Sequence, residues 1–399
     1  MVWDVDGNSY IDCAAGVLTN STGHCHPEVV KALQEQASRL WHVHDFPVPQ
    51  RHELCELLAE KCAPGIDTFE FYSGGTETVE AALRAAISYT RRYEFISFHY
   101  AFHGKTLGSR SLALWWGKGF GPVSNGIRLP FAYCYRCSFG LTYPACDLRC
   151  AEYLREAIRF NSWGSLAGLV FEPVLGGGGV VLPPHGFLPR VVEIARQEGA
   201  LILADEVLTG VGRTGTFLAI EHWHLQPDLV FFGKGLGSGF PVMALGGRRD
   251  IMTAAPYGAP GGASTSFGGN PLAIASALTT LRVMDRENLL AHTRAMGQFL
   301  ADRFAALRDK HPLVGDVRGL GLLWGIELVR DRKTKEPAEE EGRQLYLECL
   351  RRGLKTITPG HVTRFSPPLN IPRQLLEMAV DIYDAALSAV ERRYNYLQA

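Results

Sequence analysis

The chain has 399 residues, 46% of them hydrophobic, with 40 Lys and Arg against 41 Asp and Glu and a formal net charge of −1. At roughly 100–200 residues per domain this length suits one large or two ordinary domains, and so apolar a composition excludes a disordered chain. Charges of both signs are scattered without a basic face, which excludes nucleic acid as a partner and a polybasic membrane anchor, so the expected ligand is small.

No uncharged apolar run approaches the roughly 18 residues of a membrane span, and the start Met1-Val2-Trp3-Asp4-Val5-Asp6 lacks the basic-then-apolar layout of a signal peptide. The expected location is the cytoplasm. Trp3 to Asp12 alternates around Asp6-Gly7-Asn8 and predicts a hairpin. Val29, Val30, Leu33, Ala37 and Leu40 recur at helical spacing, a second helix is predicted over 52–62, and Val79, Ala82, Leu83, Ala86 and Ile87 predict a third over 76–90. That third helix starts from Ser73-Gly74-Gly75-Thr76. Short apolar runs bounded by turn residues follow at Phe95–Phe98, Leu166–Phe171, Leu201–Ala204 and Leu229–Phe232, as expected of strands buried on both faces. With a helical stretch over 187–198 between two of them, the alternation predicts an α/β domain with a mostly parallel sheet, and binding at the strands' carboxyl ends. After a long helix over 271–285 the texture changes to a charged amphipathic stretch (289–310), a glycine-rich β pair (315–329), a helix (340–352) and a final helix from 373. These read as a smaller α+β domain, with Thr334–Glu341 as a surface loop.

Glycine stands at 43 of 399 positions, against about 7% in an average protein, and it clusters where loops can approach a ligand closely. The sharpest chemical feature is Leu201-Ile202-Leu203-Ala204-Asp205-Glu206-Val207, an apolar strand that delivers a carboxylate at its end. Pro227-Asp228-Leu229-Val230-Phe231-Phe232-Gly233-Lys234 delivers a lysine in the same way. Either group is costly to desolvate unless a partner occupies the space beside it, so both are candidate cofactor contacts, with a strand-end ion pair as the plain alternative.

Taken together, Leu203 to Gly215 and Asp228 to Lys234 resemble the signature of class III (subgroup II) aminotransferases, pyridoxal-phosphate enzymes of fold type I. Gly23-His24-Cys25-His26-Pro27, Phe102-His103-Gly104-Lys105-Thr106, Phe267-Gly268-Gly269-Asn270-Pro271 and Arg364-Phe365-Ser366-Pro367-Pro368-Leu369 extend the resemblance over nearly the whole chain. It implies a large domain over 23–286 with a central sheet flanked by helices, and a small domain built from 1–22 and 287–399. In the family a further segment precedes the hairpin at Trp3, so a truncated N-terminus is expected.

The resemblance also assigns roles. Lys234 carries pyridoxal 5'-phosphate as a Schiff base and shuttles the proton, which requires an uncharged amine. Asp205 pairs with the pyridine nitrogen and maintains the electron sink. Val207 packs on one ring face and Phe102 on the other, with His103 beside it, although core packing explains these apolar residues equally well. Gly75 and Thr76, at a helix N-terminus, suit the phosphate, where an ordinary N-cap is the alternative. Ser266 stands where the family's threonine reaches the phosphate from the neighbouring subunit, which implies a homodimer with shared active sites. Arg364 grips a substrate carboxylate by bidentate pairing. Trp41-His42-Val43-His44-Asp45-Phe46 falls at the substrate entrance, with Trp41 the chosen specificity residue.

Two departures bear on substrate. Leu208 replaces a glutamine near the ring oxygen, and Glu172-Pro173-Val174-Leu175-Gly176-Gly177-Gly178-Gly179 lacks the second glutamate that masks the arginine in relatives acting on ω-amino acids. An unmasked Arg364 favours α-carboxylates. The glycine run and Asp331-Arg332-Lys333-Thr334-Lys335-Glu336-Pro337 are similar to the subset containing dialkylglycine decarboxylases and amino-acid epimerases; extra room for a bulky substrate such as an amino sugar is the other reading. The expected function is therefore a ping-pong transaminase taking an amino group from a primary amine or amino acid to a 2-oxo acid or aldehyde, with an epimerase or decarboxylase as alternative. A nicotinamide oxidoreductase, suggested by Gly235-Leu236-Gly237-Ser238-Gly239, fails because Phe240-Pro241 follows instead of a helix. A non-catalytic scaffold is disfavoured by the retention of Asp205 and Lys234.

Nine cysteines is an odd number, and a cytoplasmic protein keeps its thiols reduced. Cys134, Cys137, Cys146 and Cys150 nevertheless cluster in two close pairs, compatible with a structural metal site, free thiols or disulfides. No residue is assigned to a catalytic metal.

Overall fold

A computed structural model describes residues 1–44, 46–113, 126–357 and 360–396. The short apolar runs become the centre of a seven-stranded sheet. In chain order the strands are β1 (Val2–Trp3), β2 (Ser9–Asp12), β3 (Thr68–Tyr72), β4 (Glu94–Phe98), β5 (Gly126–Leu129), β6 (Leu166–Phe171), β7 (Leu201–Glu206), β8 (Leu229–Phe232), β9 (Met243–Gly247), β10 (Val314–Leu320), β11 (Leu323–Leu328), β12 (Leu354–Lys355) and β13 (Val362–Phe365). The large sheet runs β3-β9-β8-β7-β6-β4-β5. All its pairings are parallel except those of β9 with β3 and β8.

Alternate side chains of these strands separate into two cores. Phe95, Val170, Leu201, Leu203, Leu229 and Phe231 pack with Val79, Ala82, Leu83 and Ala86 of the helix Gly75–Thr90 on one face. Ile96, Leu169, Ile202, Ala204, Val230 and Phe232 pack on the other with the helices Arg149–Asn161, Phe187–Gln197 and Pro271–Arg286. Burial on both faces is why these strands read as unbroken apolar runs.

A second, antiparallel sheet is ordered β10-β11-β13, and the helices Leu289–Lys310, Glu339–Arg351 and Arg373–Arg393 accompany it in the chain. The first residues form a third sheet, β1-β2-β12, in which β2 pairs in parallel with β12, Ile11 opposite Leu354 and Asp12 opposite Lys355. Arg213, fully buried, donates to the Leu322 and Pro367 carbonyls at 3.1 and 2.5 Å.

Several boundaries move. The helix expected to reach Leu40 ends at Ala37, where the Gln36 amide turns back to donate to the Leu40 carbonyl. The second helix is Pro49–Lys61, begun by its proline. The loop expected over 334–341 is cut short by the helix from Glu339, whose first turn carries three glutamates. Between β2 and the first long helix lies a turn not foreseen: Ala15, Gly16, Val17 and Leu18 all have positive φ, at 47°, 60°, 65° and 64°. It is one turn of left-handed helix, costly for a β-branched residue and sustained only by its surroundings.

Candidate active site

The carboxyl ends of β6, β7 and β8 open into a cavity of about 450 Å³. Three ionisable groups stand on its floor, one from each strand end: Glu172 follows β6, Asp205 is the penultimate residue of β7, and Lys234 follows β8 by two residues. Asp205 shares a strand face with Leu203 and Val207, so the side of the sheet covered by the helix Gly75–Thr90 presents the carboxylate to the cavity. Glu206 points the other way, fully buried, and accepts from Thr209 Oγ1 and the Ile220 N–H; burial lifts it to about 7.

Asp205 is held on both oxygens. Oδ1 accepts from the Val207 N–H at 3.0 Å, and Oδ2 pairs with His103 Nδ1 at 2.6 Å. His103 is buried, which opposes its charge, but the Asp205 carboxylate outweighs this and raises it above its usual value. Its other nitrogen, Nε2, is buried with no hydrogen-bond partner among the described residues. Glu172 accepts from the Phe102 N–H at 2.8 Å and the Gly176 N–H at 2.9 Å, and burial, with Asp205 adding to it, pushes it up to about 7. Burial lowers Lys234, opposed by the carboxylates of Asp205 and Glu172 and assisted by Arg364. Lys234 also sits at φ 37°, a left-handed strain of the kind that concentrates at functional sites.

The helix Gly75–Thr90 aims its N-terminus at the same space. Its cap, Gly74, supplies no side-chain hydrogen bond, so the first backbone N–H groups stay available to an anion. Gly75 and Thr76 both line the cavity. The Thr76 hydroxyl is already engaged, accepting from the Lys105 and Thr106 N–H groups at 3.1 and 3.2 Å and pairing with Ser109 Oγ at 2.9 Å. This binds the 104–109 loop closely: at Gly104, φ 130°, a Cβ would meet Thr76 Oγ1 at 2.2 Å, so glycine is required there.

Arg364 enters from β13, in register with Gly325 of β11. It lines the cavity, is lowered by burial against the pull of the Glu172 carboxylate, and among the described residues has one long hydrogen bond, from Nη1 to the Gly176 carbonyl at 3.5 Å, and no carboxylate within ion-pair distance. Gly177 beside it contributes no side chain, and Leu208 folds over Gly176. Val17, on the left-handed turn, completes the rim.

The structure thus brings Lys234, Asp205, Gly75, Thr76, Phe102, His103, Val207 and Arg364 to one cavity. Trp41 and Ser266 lie outside its lining, on the surface. Their neighbourhoods meet, with His42 packing on Phe267 at 5.4 Å between ring centroids; Asp45 of that segment lies outside the described residues. Sequence reasoning missed Glu172, although an acid directly after the apolar run Leu166–Phe171 is the same signal that singled out Asp205.

The family model described as aminotransferase class-III matches residues 1–387. The chain is 33% identical to a leucine/methionine racemase of Thermococcus litoralis, over 98% of this chain and 89% of that protein. It is 36% identical to a 5-aminovalerate aminotransferase of Pseudomonas aeruginosa, over 96% and 90% respectively. Among solved structures it resembles a thermostable (S)-enantioselective omega-transaminase from Thermomicrobium roseum, with a TM-score of 0.91, 34% identity, and coverage of 98% of this chain and 90% of that one.

Proposed function

The chain belongs to the class III aminotransferases, and from that premise we propose that the cavity around Lys234 accepts α-amino acids and returns their amino group to a 2-oxo acid. The protein is a fold type I enzyme whose cofactor is pyridoxal 5'-phosphate. When bound, that cofactor supplies an electron-poor ring that absorbs the electrons released as a bond at the substrate carbon breaks.

The cavity suits it on three counts: room for a ring, uncapped N–H groups at Gly75 for a phosphate, and a buried carboxylate, Asp205, to pair with a ring N–H. Lys234 would hold the cofactor covalently, and its lowered basicity leaves Nζ able to shed the proton this bond requires. Nζ would then be the base placed to take the proton from the substrate α-carbon and to deliver it two atoms along, on the far side of the amino nitrogen. Asp205 keeps the ring N–H charged, while His103 fixes its orientation through the 2.6 Å contact. Phe102 and Val207 would hold the ring, Gly75 and Thr76 the phosphate, and Arg364 the substrate carboxylate.

One observation carries the substrate class. Arg364 shares the cavity with Lys234, lacks a carboxylate partner among the described residues, and borders Gly177, which cannot mask it. Arg364→Leu should lower kcat/KM for α-amino acids by about 10–100-fold, the worth of a charge-assisted hydrogen bond, and leave amines without a carboxylate unchanged. Equal losses for both would refute the assignment.

The same uncovered arginine, with the likeness to a racemase, favours a second reading in which the proton removed from the α-carbon is returned to its opposite face. Inversion of a single enantiomer without any 2-oxo acid would select it. We further propose that residues 1–22 and 287–399 form a small domain around 23–286, supported by the pairing of β2 with β12. We propose too that the enzyme is a homodimer with Ser266 at its neighbour's phosphate, supported by exposed Trp41, Phe46 and Phe267. The proposed location is the cytoplasm; among the described residues no helix is long and apolar enough to cross a membrane.

A further inference from the structure

Cys134, Cys137, Cys146 and Cys150 fall between β5 and the helix Arg149–Asn161 with spacings of two, eight and three intervening residues. None of them lines the catalytic cavity. The fold nevertheless brings all four to one small cavity, where Phe131, Tyr133 and Leu148 also face them. Local structure arranges this return. Cys134–Arg136 forms a 3-10 turn, the Cys146 N–H donates to the Thr142 carbonyl at 2.9 Å, and Asp147 and Leu148, at φ 45° and 51°, reverse the chain so that Cys150 opens the next helix. A left-handed pair of residues without glycine is costly, and here it serves to bring the second pair of cysteines back to the first.

All four thiols are free. Four neighbouring thiols in a partly buried, partly aromatic pocket suit a soft dication bound by thiolates. Among the described residues the set whose ligand atoms gather within 4.8 Å is instead His26, Glu28 and Glu287. That set is surface-lying, and its acids are already paired with Arg286. No three of the cysteine sulfurs are that close, so coordination requires the 137–146 turn to draw inwards until the sulfurs are roughly 3.8 Å apart, the edge of a tetrahedron with Zn–S bonds of about 2.3 Å.

We propose that Cys134, Cys137, Cys146 and Cys150 bind one structural Zn²⁺. On binding, the four thiols release four protons and the ion becomes four-coordinate, with no open position for catalysis. The site would fasten the two halves of the molecule. Beside it the Tyr133 hydroxyl and Arg136 Nε donate to Glu327 of β11, Arg318 Nη2 donates to the Tyr133 hydroxyl and the Gly179 carbonyl, both at 2.8 Å, and Lys335 Nζ donates to the Tyr135 carbonyl at 2.6 Å. Gly179 closes the glycine loop that begins at Gly176, the contact of Arg364.

The test is metal analysis of the purified full-length protein, made in zinc-supplemented medium, alongside thiol titration. One zinc per chain is expected, with its loss in Cys146→Ser and retention in Cys55→Ser. Cobalt exchanged into the wild-type protein should give the intense visible bands of tetrahedral thiolate coordination, a readout that does not depend on a serine variant folding or on the cofactor. Absence of metal with four chelator-insensitive free thiols, disulfides within 134–150 by non-reducing mass spectrometry, or iron with acid-labile sulfide would each overturn the assignment.

Discussion

The floor and the rim of the catalytic cavity are built differently. Glu172, Asp205 and Lys234 stand at the ends of three adjacent parallel strands whose side chains are buried on both faces, so their spacing is inherited from the sheet. Arg364 comes from the other sheet and Val17 from a strained left-handed turn. The floor can therefore hold reacting groups to the fraction of an ångström that bond-breaking demands, while the rim can change with substrate at little cost to the fold. Bond-breaking belongs to the first and substrate choice to the second.

Breaking the floor should abolish turnover without unfolding the protein. Lys234→Ala is expected to lower kcat by on the order of 10⁴-fold or more, the loss typical of a group that forms a covalent bond and moves a proton; an unchanged circular-dichroism spectrum would show that the fold persists. Asp205→Asn should cost about 10²–10³-fold in kcat for every donor alike, as expected when a preorganised charge is removed. A donor-dependent loss would place Asp205 on the rim. The Arg364 variant is the complementary case, a smaller loss confined to carboxylated donors.

The gentlest probe of the floor is pH. His103 is raised above its unfolded value by Asp205, so the pair contributes stability to the cofactor-free protein that is fully present below the unfolded value. That contribution is lost as pH rises through the folded one. Thermal midpoints of the wild type should fall across this window more steeply than those of His103→Gln, and parallel curves would remove the ion pair from the account.

The floor was also the legible part. Asp205 and Lys234 announce themselves because a charged residue ending an all-apolar run is rare unless something needs it there. Glu172 obeys the same rule, directly after the apolar run Leu166–Phe171, but the glycine run that follows it carries a separate signal of close approach to a ligand. The short strands β3 and β9 escaped notice, one broken by Glu70 and the other diluted by two glycines. The helix Arg149–Asn161 has a clear apolar stripe at Ala151, Leu154, Ala157 and Ile158, hidden by reading its start as part of a cysteine cluster. The left-handed turn at 15–18 could not be foreseen, since a valine at positive φ is imposed by tertiary packing rather than by local preference.

The most direct test of the floor is the visible absorption spectrum of the purified protein with pyridoxal phosphate as an α-amino acid is titrated in. The account predicts a band that depends on Lys234, bleaches with the amino acid and returns when a 2-oxo acid is added. A band that survives in Lys234→Ala, or none at saturating cofactor, would contradict it.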